Sequence, residues 1–251
     1  AWMNGEALGS VSPYLYITGI ECRPAALTVR TVEPGARDGE MEGVSRWKGA
    51  TVTISFILQK SSGPERENTI QAVYAWGKRG ILEISDRPGK QLHVICTAPP
   101  YVPDNFSWGN IMSLKLQTME NPFWEEKVPA RFTTSAGTSG SGDLYVPGNI
   151  GKARVEATVT PGSSTMANCT LTVGGYTFTL TGVNATASNP LKVTYDDRGI
   201  LSIKVGDTSV LDKRSAGSAD DLLAECGSTV HVSFTASASA TVTFSARGLW
   251  T

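Results

Sequence analysis

The sequence lacks most of the patterns that announce chemistry. It has two histidines, no Cys-x-x-Cys pair, no Gly-x-Ser-x-Gly elbow and no Gly-x-x-x-x-Gly-Lys-[Ser/Thr] loop. Without the elbow there is no exposed nucleophilic serine on a strand-to-helix turn, and without the loop no glycine-rich cradle for phosphates. The four cysteines, Cys22, Cys96, Cys169 and Cys226, stand far apart. They form neither a disulfide framework nor a zinc knuckle and read as four free thiols. No apolar run approaches the length of a membrane span, and Ala1-Trp2-Met3-Asn4-Gly5 lacks the basic segment and apolar stretch of an export signal. The reading is therefore of a chain that is neither exported nor inserted into a membrane.

Charge is also scarce. Only 18% of residues are charged, and 22 basic against 23 acidic side chains leave a net charge of -1. Up to residue 130 there are 13 basic and 14 acidic residues, and beyond it 9 of each, so neither half hides a basic face in its totals. No long-range field draws the chain to DNA or anionic lipid, and sequence-specific nucleic-acid binding is not expected.

What the sequence does have is Thr, Ser, Gly and Val, the composition of β-sheet surfaces. At 251 residues it is long enough for two compact cores. The stretch Thr133 to Gly142, TTSAGTSGSG, has no apolar periodicity and reads as a link or exposed loop. The expected layout is an N-terminal domain over 1–130, a linker over 131–143 and a C-terminal domain over 144–251.

In the first domain, Thr51 to Leu58 alternates Val52, Ile54, Phe56 and Leu58 with Thr51, Thr53 and Ser55, as a half-buried strand requires. A helix is predicted from Pro64 to Gly77, with Glu65 and Glu67 in its first turn and Ile70, Val73 and Tyr74 on the face that packs at a sheet edge. Ile81 to Ile84 and Leu92 to Cys96 flank the turn Asp86-Arg87-Pro88-Gly89 as a hairpin, and Met112 to Met119 reads as a further strand. The second domain is a succession of short alternating strands: Val155, Ala157, Val159; Leu171, Val173; Tyr176, Phe178, Leu180; then Leu191 to Tyr195, Ile200 to Val205, Val230 to Phe234 and Val242 to Ser245. Gly174-Gly175 predicts a two-residue hairpin turn with positive φ at both positions, and Asp197-Arg198-Gly199 another turn. Regular short strands of this kind indicate a β-sandwich.

No candidate constellation survives inspection. His93 and His231 each fall in a strand on the face opposite core residues and read as solvated. His93 and Cys96, three apart on a strand, point to opposite faces and cannot share a metal. The acidic pairs Glu125-Glu126, Asp196-Asp197 and Asp220-Asp221 read as turn decoration, and Asp196 to Gly199 lacks the alternating oxygen ligands of a calcium loop. The triplets Asn105-Phe106-Ser107, Asn168-Cys169-Thr170 and Asn184-Ala185-Thr186 carry no weight without a secretory route. The sequence thus nominates no catalytic, cofactor-binding or metal-ligating residue.

Several short features occur in an informative order. Trp2-Met3-Asn4-Gly5 opens a strand, Gly35-Ala36-Arg37-Asp38-Gly39 makes a turn, the Thr51 to Leu58 strand follows, and Glu120-Asn121-Pro122-Phe123-Trp124 ends the first domain. Val146-Pro147-Gly148-Asn149-Ile150-Gly151 opens the second, Tyr195-Asp196-Asp197 with Gly199 lies midway, and Phe244-Ser245-Ala246-Arg247-Gly248-Leu249-Trp250 ends it. In this order the chain resembles, over nearly its whole length, the distal tail proteins of long-tailed bacteriophages and prophages. The resemblance implies a mostly β protein: an N-terminal β-sandwich-like belt domain with one helix, and a C-terminal sandwich similar to galectins and carbohydrate-binding modules. It also implies a non-enzymatic role at the virion tail tip, assembled in the bacterial host cytoplasm. There the belt domain would form a homohexameric ring, with the tail tube protein on one side and the tail-associated lysin or hub on the other. The C-terminal domain would dock receptor-binding or baseplate proteins.

The alternative is a carbohydrate-binding module that adsorbs to host glycans. Five of the six tryptophans, Trp2, Trp47, Trp76, Trp108 and Trp124, lie in the first domain, and only Trp250 in the second. Tyr145, Tyr176 and Tyr195 are the remaining platforms, but Tyr176 and Tyr195 are in phase with Phe178 and Val193 and are expected to be buried. No measurable sugar binding is expected of residues 144–251.

Overall fold

The computed structural model describes residues 1–32, 41–42, 45–59, 63–101, 110–118, 121–196 and 198–251. The Gly35 to Gly39 turn, the Asn105 triplet, Trp108, Met119, Glu120 and Asp197 lie outside the described residues. The chain divides into two compact units, Ala1–Trp124 with Thr251, and Glu125–Trp250. The division thus falls just before the expected boundary at 130.

The first unit contains β1 (Trp2–Met3), β2 (Glu6–Ala7), β3 (Leu15–Arg23), β4 (Ala26–Thr28), β5 (Thr31–Val32), β6 (Met41–Glu42), β7 (Arg46–Lys48), β8 (Thr51–Leu58), α1 (Gly63–Gly77), β9 (Arg79–Glu83), β10 (Lys90–Ala98) and β11 (Met112–Gln117). Its main sheet runs in the order β2-β1-β9-β10-β11-β8-β3. β8 is the strand its alternation predicts, with Val52, Ile54, Phe56 and Leu58 buried. The β9–β10 hairpin pairs Leu82 with Leu92, and Gly89 supplies the positive φ its turn needs. Between β1 and β2 the two-residue turn Asn4-Gly5 has φ of 51° and 85°, the geometry whose twist matches that of a hairpin.

Helix α1 is where expected, but its buried side is Thr69, Val73, Trp76 and Gly77, while Tyr74 is exposed and Ile70 only half-buried. It also lies over β10 and β11 in the middle of the sheet rather than at its edge. Gly77 explains the difference, because a β-carbon there would press into Leu114 of β11; the missing side chain brings the helix down onto that strand. Trp76 then donates its indole N–H to the Glu6 carbonyl at 3.0 Å, tying the helix to β2.

The second unit contains β12 (Trp124–Glu126, beginning at the last residue of the first unit), β13 (Ala130–Thr133), β14 (Gly137–Val146), β15 (Lys152–Pro161), β16 (Met166–Val173), β17 (Tyr176–Ala185), β18 (Leu191–Tyr195), β19 (Leu201–Val205), β20 (Thr208–Ser209), β21 (Leu223–Glu225), β22 (Ser228–Ala246) and β23 (Leu249–Trp250). Its sheet order is β17-β16-β22-β15-β18-β19-β20, with β13 and β14 also on β22.

The expected strands Val230 to Phe234 and Val242 to Ser245 are one strand. Its first half pairs with β14 and β16, and its second half with β13 and β15, so β22 belongs to both layers of a sandwich. The crossover is built from small residues, Ala236 to Ala240, and the Ser237 hydroxyl accepts the backbone N–H of Ala167 at 2.9 Å and of Asn168 at 3.0 Å where β16 bulges. Between the layers lies a core that includes Leu171, Phe178, Leu180, Val193, Phe234 and Phe244. Two expectations are corrected. Residues 131–143 are not a linker, because they form most of β13 and β14, both paired with β22. In the Gly174-Gly175 turn only Gly174 has positive φ.

Candidate functional site

Several titratable groups among the described residues serve the fold. His231 is exposed on β22, its Nδ1 3.0 Å from Oδ1 of its cross-strand partner Asp143. His93 is half-buried on β10 between the buried Leu92 and Val94. Among the described residues no three His, Cys, Asp or Glu side chains converge on a point where a metal ion could sit. Asp196 Oδ1 accepts the backbone N–H of Arg198 at 2.9 Å and of Ile200 at 2.8 Å, which makes it the cap of its turn. Asp220 is fully exposed, 3.9 Å from Arg214 Nη2.

The thiols are free and all are shifted away from reactivity. Burial pushes Cys169 up to about 12 and raises Cys22, Cys96 and Cys226 as well. Of the candidate aromatic platforms, Tyr195 is half-buried rather than buried as expected, its hydroxyl receiving the Leu222 N–H at 2.9 Å, with the Arg154 guanidinium 5.6 Å from its ring. Tyr176 is half-buried, and its hydroxyl accepts a hydrogen bond from Lys152 at 3.2 Å. Tyr145 alone is an open ring, 58% exposed on β14.

Exposed apolar surface distinguishes the first unit. β3 is the outermost strand of its sheet, and among the described residues it pairs only with β8, leaving its other edge open. A bulge between Ile17 and Gly19 breaks its alternation, so both Tyr16, at 51%, and Ile17 are exposed. Beyond β3 the chain leaves the sheet and makes a separate two-stranded ribbon in which Leu27 of β4 pairs directly with Trp47 of β7. Leu27 is 45% and Trp47 42% exposed, and Val29 beside them is exposed as well. One edge of the ribbon is anchored, because the Trp47 ring meets the buried Phe123 ring edge-on at 5.2 Å between centroids. Sequence reasoning missed both β3 and the ribbon. The bulge erased the period-two signal of the first, and the second has no buried face to produce one; the β-prone run Tyr14 to Ile20 was the available clue.

Neither a protein-family model nor a curated protein matches the chain. Solved structures do match it. The SPP1 Dit (gp 19.1) protein, described as a paradigm of the hub adsorption apparatus of phages that infect Gram-positive bacteria, shares 11% identity at a TM-score of 0.72, covering 98% of this chain and 97% of that one. The phage P2 baseplate in its activated conformation with Ca contains a chain of 5% identity and TM-score 0.50, with 94% and 90% covered. The same baseplate with Sr gives 8% identity and 0.50, with 93% and 90% covered. At the level of fold, these likenesses bear out the resemblance to distal tail proteins.

Proposed function

We propose that this chain is a structural component of a phage or prophage tail tip, acting as a hub that joins the tail tube to the tail-associated lysin or hub protein. Its first unit closes a six-subunit ring, and its second unit offers a platform to receptor-binding or baseplate proteins. The observation that supports this best is the likeness to a phage hub protein over 98% of this chain and 97% of that one, which takes in both units of this chain. A net charge of -1 suits a ring through which DNA must slide without being gripped. Native mass spectrometry of the full chain over a range of concentrations, alone and with a tail tube protein, tests it. A six-subunit species that binds the tube is expected; a chain that neither self-associates nor binds the tube would overturn the reading.

The sugar-binding alternative rests on Tyr145, the one outward-facing ring of the three tyrosine candidates, with Asp143 and His231 paired in the neighbouring row. A single ring beside a hydrogen-bonded His–Asp pair is a poor pyranose platform. A glycan array is expected to be blank, and millimolar or tighter binding that disappears in Tyr145→Ala would replace the hub reading.

A further inference from the structure

We propose that Asn4-Gly5, the turn between β1 and β2, is a site of spontaneous covalent modification that the fold restrains. The reaction is deamidation through a cyclic imide, and the restraint is the grip of β9 on the Asn4 side chain. The proposal stands apart from the tail-tip reading and does not depend on it.

The sequence contains a single Asn-Gly pair. Asparagine is thermally labile because its carboxamide carbon can be attacked by the next backbone nitrogen, and glycine, with no side chain, hinders that attack least. The Gly5 nitrogen attacks Asn4 Cγ: the N–Cγ bond forms, the Cγ–Nδ2 bond breaks, the Gly5 amide proton passes to solvent and Nδ2 leaves as ammonia. Water then opens the imide. Cleavage at Cγ leaves aspartate; cleavage at the main-chain carbonyl leaves isoaspartate, whose backbone runs through the side chain and is one methylene longer. Water is the only co-reactant.

The fold admits water but withholds the geometry. Asn4 and Gly5 are both exposed. The Asn4 carboxamide is nonetheless held, because its Oδ1 accepts the Ile81 N–H at 2.9 Å while the Asn4 N–H donates to the Ile81 carbonyl at 2.9 Å. It lies against Gly80, where a β-carbon would collide with Asn4 Oδ1, Nδ2 and Cγ. Ring closure needs Cγ aligned on the Gly5 nitrogen, so the carboxamide has to leave Ile81 and Gly80 first. The reaction therefore proceeds from the opened hairpin, at a rate set by the fraction open.

The two products differ in what they leave behind. Aspartate keeps an oxygen for the Ile81 N–H. Isoaspartate inserts a backbone atom between Met3 and Glu6, which face each other across the turn. Met3 is buried and pairs with Leu82, and the Glu6 carbonyl receives the Trp76 indole N–H, so the longer turn unseats both ties.

Peptide mapping of the full chain, with aspartate and isoaspartate resolved by chromatography, tests this during incubation at mildly alkaline pH with and without urea. Conversion at Asn4 is expected in urea and about tenfold or more slower in the native protein, the factor given by an opening free energy of ~1.4 kcal/mol. Gly80→Ala places a methyl group where the carboxamide lies, and should convert faster than wild type when folded but at the same rate in urea. Circular dichroism and thermal melts establish that the variant is folded; should it not fold, the native-to-urea ratio of wild type still decides. Equal rates with and without urea, or no conversion in urea, would overturn the restrained site. A folded Gly80→Ala that converts no faster than wild type would overturn the grip of β9, and an isoaspartate fraction that melts with wild type would overturn the unseating of β1.

Discussion

The ring of Phe132 on β13 lies over the place where Gly142 of β14 would carry a side chain: a β-carbon at Gly142 would overlap the far edge of that ring. Two residues along, a β-carbon at Gly140 would stand 2.8 Å from Phe234 Cε1 and 3.3 Å from Thr134 Cβ. The glycines that make this stretch look like a link are there because aromatic rings cover the strand at those positions. Gly142→Ala and Gly140→Ala should each lower stability by about 1 to 3 kcal/mol through overpacking, read as a lower denaturant midpoint at unchanged slope. Variants as stable as wild type would mean the rings move aside freely.

Asp196→Ala removes the acceptor for two backbone N–H groups in the turn before β19. The expected cost is about 1 to 2 kcal/mol, measured by chemical denaturation, with assembly unchanged in native mass spectrometry. A neutral effect on stability would show that the turn holds its shape without the carboxylate.

Burial holds the Tyr195 phenol protonated, pushing it from 10.0 up to about 12 despite the Leu222 N–H and the nearby Arg154, which both favour the phenolate. The unfolded chain therefore loses this proton first as pH rises. The stability is fully present below about pH 10 and declines toward pH 12, by roughly 2 to 3 kcal/mol for a shift of two units. Tyr195→Phe should flatten that alkaline decline in urea titrations between pH 9 and 11, while paying a pH-independent cost for the lost Leu222 bond. An unchanged slope would assign the alkaline loss to other groups.

Cys169 is buried in the second core, and its thiol is pushed up to about 12, so neither access nor thiolate is available near neutral pH. Ellman's reagent at pH 8 should label Cys22, Cys96 and Cys226, all half-buried, before Cys169, which should react only when the second unit unfolds. Early modification of Cys169, located by peptide mass mapping, would show that this core opens locally.

What the sequence by itself determined were the elements whose signal is local. The alternation of Val52, Ile54, Phe56 and Leu58 specified β8, because one face of that strand is wholly buried and the period of two survives intact. The 86–89 turn, the helix near 64–77 and the short strands of the sandwich were legible for the same reason. Tertiary structure decided whatever depends on partners distant in the chain. Gly77 chose which side of α1 is buried, because only at that residue can the helix settle onto Leu114. Ala236 to Ala240 join two apparent strands into one, because the small residues let β22 exchange β16 for β15 while Ser237 holds the bulge. Gly140 and Gly142 became strand rather than link because Phe234 and Phe132 fill the space their side chains leave empty. β3 and the ribbon beyond it gave no periodic signal, because the bulge breaks the alternation of the first and the described strands of the second, β4 and β7, have no buried face to impose a pattern on their residues.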